Sequence, residues 1–126
     1  MKFVLDTAID SKYIIQSYTE DSFTINNECI TSNIIISANK LIQNWPPRSI
    51  ADLAMQHLDA IITLEPEIVL LGTGNSLIFP DQAIISTITS KHIGVETMDT
   101  GAACRCFNLL QSDGRNVVAA LLLHGT

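Results

Sequence analysis

Hydrophobic and polar positions change rhythm near the middle of the chain, and each rhythm predicts a different kind of element. Residues 13–18 are rich in β-formers, and the polar quartet Thr19-Glu20-Asp21-Ser22 after them reads as a turn. Phe23–Ile25 alternates, Asn26-Asn27 supplies turn chemistry, and residues 28–31 resume an extended pattern. A short buried strand over 33–37 completes an antiparallel, hairpin-rich opening. Trp45-Pro46-Pro47 then blocks both helix and central strand, so residues 44–48 form a rigid loop. Ser49, with Asp52 three residues on, resembles a capping box, and Ile50, Leu53, Ala54, Leu58, Ile61 and Ile62 recur at helical spacing. That spacing predicts a helix over 50–62.

The second half reads differently. Residues 67–71 form a continuous apolar run that stops at Gly72-Thr73-Gly74, the pattern of a strand buried on both faces. Pro80-Asp81 opens a helix on which Ile84, Ile85 and Ile88 share a face, and Lys91-His92 closes it before Gly94. Residues 95–98 read as strand, 102–111 as helix, 112–114 as turn and 116–123 as a last buried strand. The order strand, helix, strand, helix, strand over 67–123 predicts a mainly parallel sheet covered by helices.

Composition narrows what such an α/β chain does. At 126 residues it suits a single domain spanning 1–126, and 47% hydrophobic against 16% charged residues excludes disorder. The net charge of −6 comes with no basic stripe, which argues against nucleic acid and against an anionic membrane surface. Apolar runs are too short to span a bilayer, so membrane insertion is not expected. The opening Met1-Lys2-Phe3-Val4-Leu5-Asp6 meets a carboxylate too early for a signal-peptide core. Three cysteines, an odd number, argue against a disulfide framework. A cytoplasmic protein is the expectation.

Two glycine turns carry the candidate chemistry. If the strands before them are parallel neighbours, Gly72-Thr73-Gly74-Asn75 and Asp99-Thr100-Gly101-Ala102 lie at one sheet edge, where open α/β sheets bind ligands. A helix starting near Thr100 would aim free N–H groups at that crevice, and Arg105 would add charge. The expected ligand is a small anion or a carboxylate. The same residues also make sense structurally, with glycines permitting tight turns and Asp99 or Thr100 as N-cap.

Other motifs carry less. A dinucleotide fingerprint fails because its third glycine is Leu77, and no phosphate-cradling loop with Lys and Ser or Thr occurs, so no cofactor is expected. Asp99-Thr100-Gly101 matches the aspartic-protease triplet, but the residues after it read as helix rather than strand. Cys104 and Cys106 project about 200° apart on a helix, so both cannot reach one ion, and no other metal spacing is present. Cys104, near a helix N-terminus, is a candidate reactive thiol with a lowered pKa. His57 falls inside the first expected helix, and Trp45 beside two prolines is either a packed lid or a partner anchor. No catalytic residue is assigned.

Several segments together resemble one family. They are Pro66-Glu67-Ile68-Val69-Leu70-Leu71-Gly72-Thr73-Gly74, then Met98-Asp99-Thr100-Gly101-Ala102-Ala103-Cys104-Arg105 with Phe107-Asn108, and Asp113-Gly114-Arg115 before the final strand. The family is the uncharacterised-domain group that includes mitochondrial complex I (NADH dehydrogenase) assembly factor three and the adipogenesis-associated domain proteins. The resemblance implies a three-layer α/β fold around a mixed sheet and a stand-alone prokaryotic member. It supplies no enzyme activity; its mitochondrial members act as non-catalytic partners in assembly. The expected function is therefore a non-enzymatic interaction or assembly factor with protein partners, a homodimer included. The alternative is a domain or enzyme taking a small anion or carboxylate at 72–75 and 99–102.

Overall fold

A computed structural model describes residues 12–124; the opening segment Met1 to Asp6 lies outside them. Strands β1 (Ile15–Tyr18), β2 (Phe23–Ile25) and β3 (Glu28–Ile30) form an antiparallel sheet in that order. Ile25 pairs with Glu28 across a two-residue loop, and both loop residues are left-handed, Asn26 at φ 48° and Asn27 at φ 72°. That geometry matches the strands' twist, and asparagine tolerates it better than other non-glycine residues.

The second sheet has five strands in the order β5-β4-β8-β6-β7, with β4 at Ile34–Ile36, β5 at Leu41–Gln43, β6 at Ile68–Gly72, β7 at Gly94–Met98 and β8 at Val117–Leu121. β4 runs antiparallel to both β5 and β8, whereas β8-β6-β7 is the parallel part. The sheet is mixed, as expected. Strand β5 was not foreseen; a turn in which Ser37 and Lys40 exchange hydrogen bonds folds it back on β4.

Both faces of this sheet are buried, and alternation along the strands divides the core in two. Ile34, Ile36, Leu70, Ala119 and Leu121 pack with Phe23 and Ile25 of the hairpin sheet and with Phe107. Ile35, Val69, Leu71, Val118 and Ala120 pack with Trp45, Ile61 and Ile84 on the other side. Three layers result. Helix α2 (Gln82–Thr89) covers the second face, and α3 (Thr100–Ser112) covers the first beside the hairpin sheet.

The helix expected over 50–62 is not continuous. The chain forms 3-10 turns at Ile50–Asp52 and Met55–Leu58, and only Asp59–Ile62, α1, is α-helical. Leu53 and Ala54 are extended, at ψ 122° and 165°. The Ala54 N–H donates to His57 Nδ1 at 2.9 Å, so a side chain takes a bond that a helix would have used. The expected capping box is also absent: Ser49 makes no side-chain cap bond, and Asp52 accepts from the Arg48 backbone N–H. Ile50, Leu53, Leu58 and Ile61 are nonetheless all buried.

Candidate functional site

β6 and β7 leave the sheet side by side in the same direction, Gly72 level with Met98, and β8 flanks β6 with Leu121 level with Gly72. The helices that follow β6 and β7 diverge to opposite faces, which defines a crevice at the carboxyl rim. Two side chains fill it. Thr73 and Thr100 are both 0% exposed. The Thr100 hydroxyl donates to the Leu122 carbonyl at 2.6 Å and accepts from the Gly74 N–H at 2.8 Å. Thr73 Oγ1 donates to the Ser76 carbonyl at 2.6 Å and accepts from the Ile78 N–H at 3.2 Å. A Cβ on Gly72 would lie 2.8 Å from Leu121 Cδ2 and 3.2 Å from Thr100 Cα, so the glycine is what lets α3 start against the sheet.

The residues expected to share a site therefore divide. Gly72, Thr73, Gly74 and Thr100 are buried, and Gly74, at φ 100°, exchanges hydrogen bonds with Thr100. Asn75 is exposed and its N–H donates to the His124 carbonyl at 3.3 Å. Asp99 caps α3, its Oδ1 accepting from the Ala102 N–H at 2.9 Å. The helix start thus already faces a carboxylate, which repels an anion approaching the dipole. Gly101 and Arg105 open the other way, into a cleft of about 250 Å³ against β1, lined also by Ser17, Tyr18, Asn108 and the edge of the buried Cys104. The exposed Arg105 guanidinium and the Tyr18 ring flank Gly101, each 3.6 Å from the place its Cβ would take.

Asn108 holds β1 to the helix. Its Oδ1 accepts from the Ile15 N–H at 3.0 Å and its Nδ2 donates to the Ile15 carbonyl at 2.8 Å, as a neighbouring strand would. Gln111 donates to the Tyr13 carbonyl at 2.7 Å. Neither role was read from sequence, although polar residues on the helix face that carries Phe107 and Cys104 were the available signal. Burial, with Cys104, Asp99 and Glu20 nearby, raises the Tyr18 phenol above its ordinary range.

Cys104 corrects an expectation. Burial pushes its thiol up to about 12, only partly opposed by Arg105, and Asp99 pushes the same way. The dipole argument fails because the side chain faces the core, where a thiolate is poorly solvated. Cys106 is half-buried and Cys29 exposed. Among the described residues no group of three or more His, Cys, Asp or Glu is arranged to hold a metal ion. Trp45 is packed, its indole N–H donating to the His57 carbonyl at 3.2 Å and its ring edge-on to His57.

These features define a small three-layer α/β domain whose carboxyl-rim crevice is closed by its own threonines. The chain belongs to the family described as protein of unknown function (DUF498/DUF598), whose model matches residues 15–122. It is 28% identical over 123 residues to the 13 kDa major membrane protein of Francisella tularensis, covering 97% of this chain and 100% of that one. It is 31% identical over 110 residues to NADH dehydrogenase (ubiquinone) 1 alpha subcomplex assembly factor 3 of Xenopus tropicalis, covering 86% of this chain but only 60% of that relative. A Xanthomonas campestris protein solved by NMR superposes with a TM-score of 0.82 at 31% identity, covering 92% of this chain and 88% of the other. Among the described residues no helix is long and apolar enough to cross a membrane.

Proposed function

We propose that this protein is a non-enzymatic interaction and assembly factor that contributes to building a respiratory membrane complex. Its likeness to proteins named as NADH dehydrogenase assembly factors supports the reading. The observation that carries it is the rim loop after β6, where Phe79 is 74% exposed and Leu77 49% exposed. Large apolar groups held in water on a loop are typical anchors for a protein partner. In this reading the chain acts as one domain on the cytoplasmic side and binds protein partners, with self-association as one mode.

The experiment is complementation. Membranes from a strain lacking the protein should contain less assembled NADH dehydrogenase on native gels and oxidise NADH more slowly. The wild-type gene should restore both, and a Leu77→Ser, Phe79→Ser double variant should not, despite normal folding. Unchanged complex in the deletion strain would end the assembly reading.

A second reading rests on Arg105, whose guanidinium stands in the cleft beside Gly101 and Tyr18. There the chain would take a small carboxylate or phosphate. Calorimetric titration with acetate and inorganic phosphate tests it, and heat that survives Arg105→Ala unchanged would refute it.

A further inference from the structure

Among the described residues the two sheets end in four edge strands, and three of them are protected. β1 is bulged between Ile15 and Ser17, and the Asn108 amide occupies its free side at Ile15. β3 has only three residues. β5 also has three and runs into Asn44, left-handed at φ 59°, followed by Trp45-Pro46-Pro47. Short edges, bulges and prolines are the usual means of refusing a further strand.

β7 carries none of these. It has five residues, no proline, and an unbroken register against β6 from Gly94 to Met98. Its residues are all exposed or half-buried, whereas all five of β8 are buried. In a parallel ladder alternate residues face the neighbour. Gly94 donates to the Glu67 carbonyl at 3.0 Å and the Met98 carbonyl accepts from Thr73 at 2.9 Å, so the even-numbered residues turn toward β6. The N–H and C=O groups of Val95 and Thr97 therefore point outward, and among the described residues they have no partner. One charge stands between them, the exposed Glu96.

We infer that the β7 edge receives an extended basic segment of a partner protein, which adds an antiparallel strand with a Lys or Arg opposite Glu96. Backbone bonds to Val95 and Thr97 supply the docking, and the charge supplies the selection. A second copy of this chain fits poorly. The symmetric pairing that uses all four outward groups sets Glu96 against its own counterpart, and like charges directly opposite destabilise. The chain's net charge of −6 likewise favours a basic guest. The inference rests on the assembly reading only in that the chain binds protein; the residues it uses, Val95 to Thr97, are not those of the Phe79 loop.

The probe is a pair of blocked peptides, Thr-Val-Lys-Val-Thr and Thr-Val-Glu-Val-Thr, titrated into the full chain while backbone amides are followed by NMR. The Lys peptide should shift Val95 and Thr97 and slow their exchange. The Glu peptide should bind about tenfold more weakly, the effect of exchanging an attractive cross-strand pair for a repulsive one. Thr97→Pro, which removes only an outward N–H, should abolish binding, and Glu96→Lys should reverse the preference between the peptides. Val95 and Thr97 amides that exchange slowly in the free protein, equal response to both peptides, or a dimer that Thr97→Pro dissolves would each overturn the inference. A failed titration leaves the complementation result standing, so the two ideas fail separately.

Discussion

The rim crevice between β6 and β7 and the cleft between α3 and β1 share the first turns of one helix, yet they have opposite characters. In the crevice the Thr100 hydroxyl and N–H are bonded to Gly74 and Leu122. In the cleft Arg105 stands exposed, beside a glycine with ordinary clearance. The same signature of Asp, Thr and Gly thus serves the fold on its inward side and is free for other use on its outward side. Resemblance to a ligand-binding turn says nothing about which way the groups face.

That contrast makes graded predictions. The largest effect belongs to Thr100→Val, which keeps the shape but strands the Gly74 N–H and the Leu122 carbonyl in a dry site. A loss of roughly 2–4 kcal/mol by urea denaturation is expected, with Thr100→Ser much milder. Gly72→Ala should cost about 1–3 kcal/mol, because the new methyl meets Leu121 and the α3 backbone. A loss below about 0.5 kcal/mol there would mean that the seal is looser than its distances imply.

Cys104 tests the wall between the regions through pH. Its folded-state pKa, about 12, lies above the ordinary 9.0, so its contribution is fully present below about pH 9 and is lost as pH climbs toward 12. Alkaline melts of the wild type should therefore fall more steeply than those of Cys104→Ala, and a thiol reagent at neutral pH should label Cys29 long before Cys104. Asp99→Ala, which removes only the cap, should cost about 1 kcal/mol. Arg105→Ala should stay within about 0.5 kcal/mol. If it costs as much as Thr100→Val, the cleft is structural and the contrast collapses.

Much of the fold was legible, and the exceptions have specific physical causes. The Asn26-Asn27 hairpin was readable because only a few residue types accept two consecutive left-handed positions. β6, α2, β7, α3 and β8 were readable because long apolar runs and caps agree with one another. Residues 50–62 misled because periodicity reports burial, and consecutive 3-10 turns bury nearly the same positions as a helix. β5 escaped because two half-buried residues and an exposed one show no alternation. The glycine turns were correctly placed at one rim, but the closure by Thr73 and Thr100 was not readable. It depends on a bond between residues 26 apart, and no local pattern encodes that.

The strand order has a consequence for synthesis. Among the described strands, β4 and β5 reach β6 and β7 only through β8, which follows the others in the chain. Until residues 117–121 clear the ribosome, the nascent chain holds two unjoined pieces, each showing an apolar flank that nothing covers. Closure then joins Ile34 to Leu121 in one late, long-range step, of the kind that makes folding slow and leaves unfinished chains sticky. A stall within α3 would leave a molecule prone to clump, and chaperones would have their work in that interval.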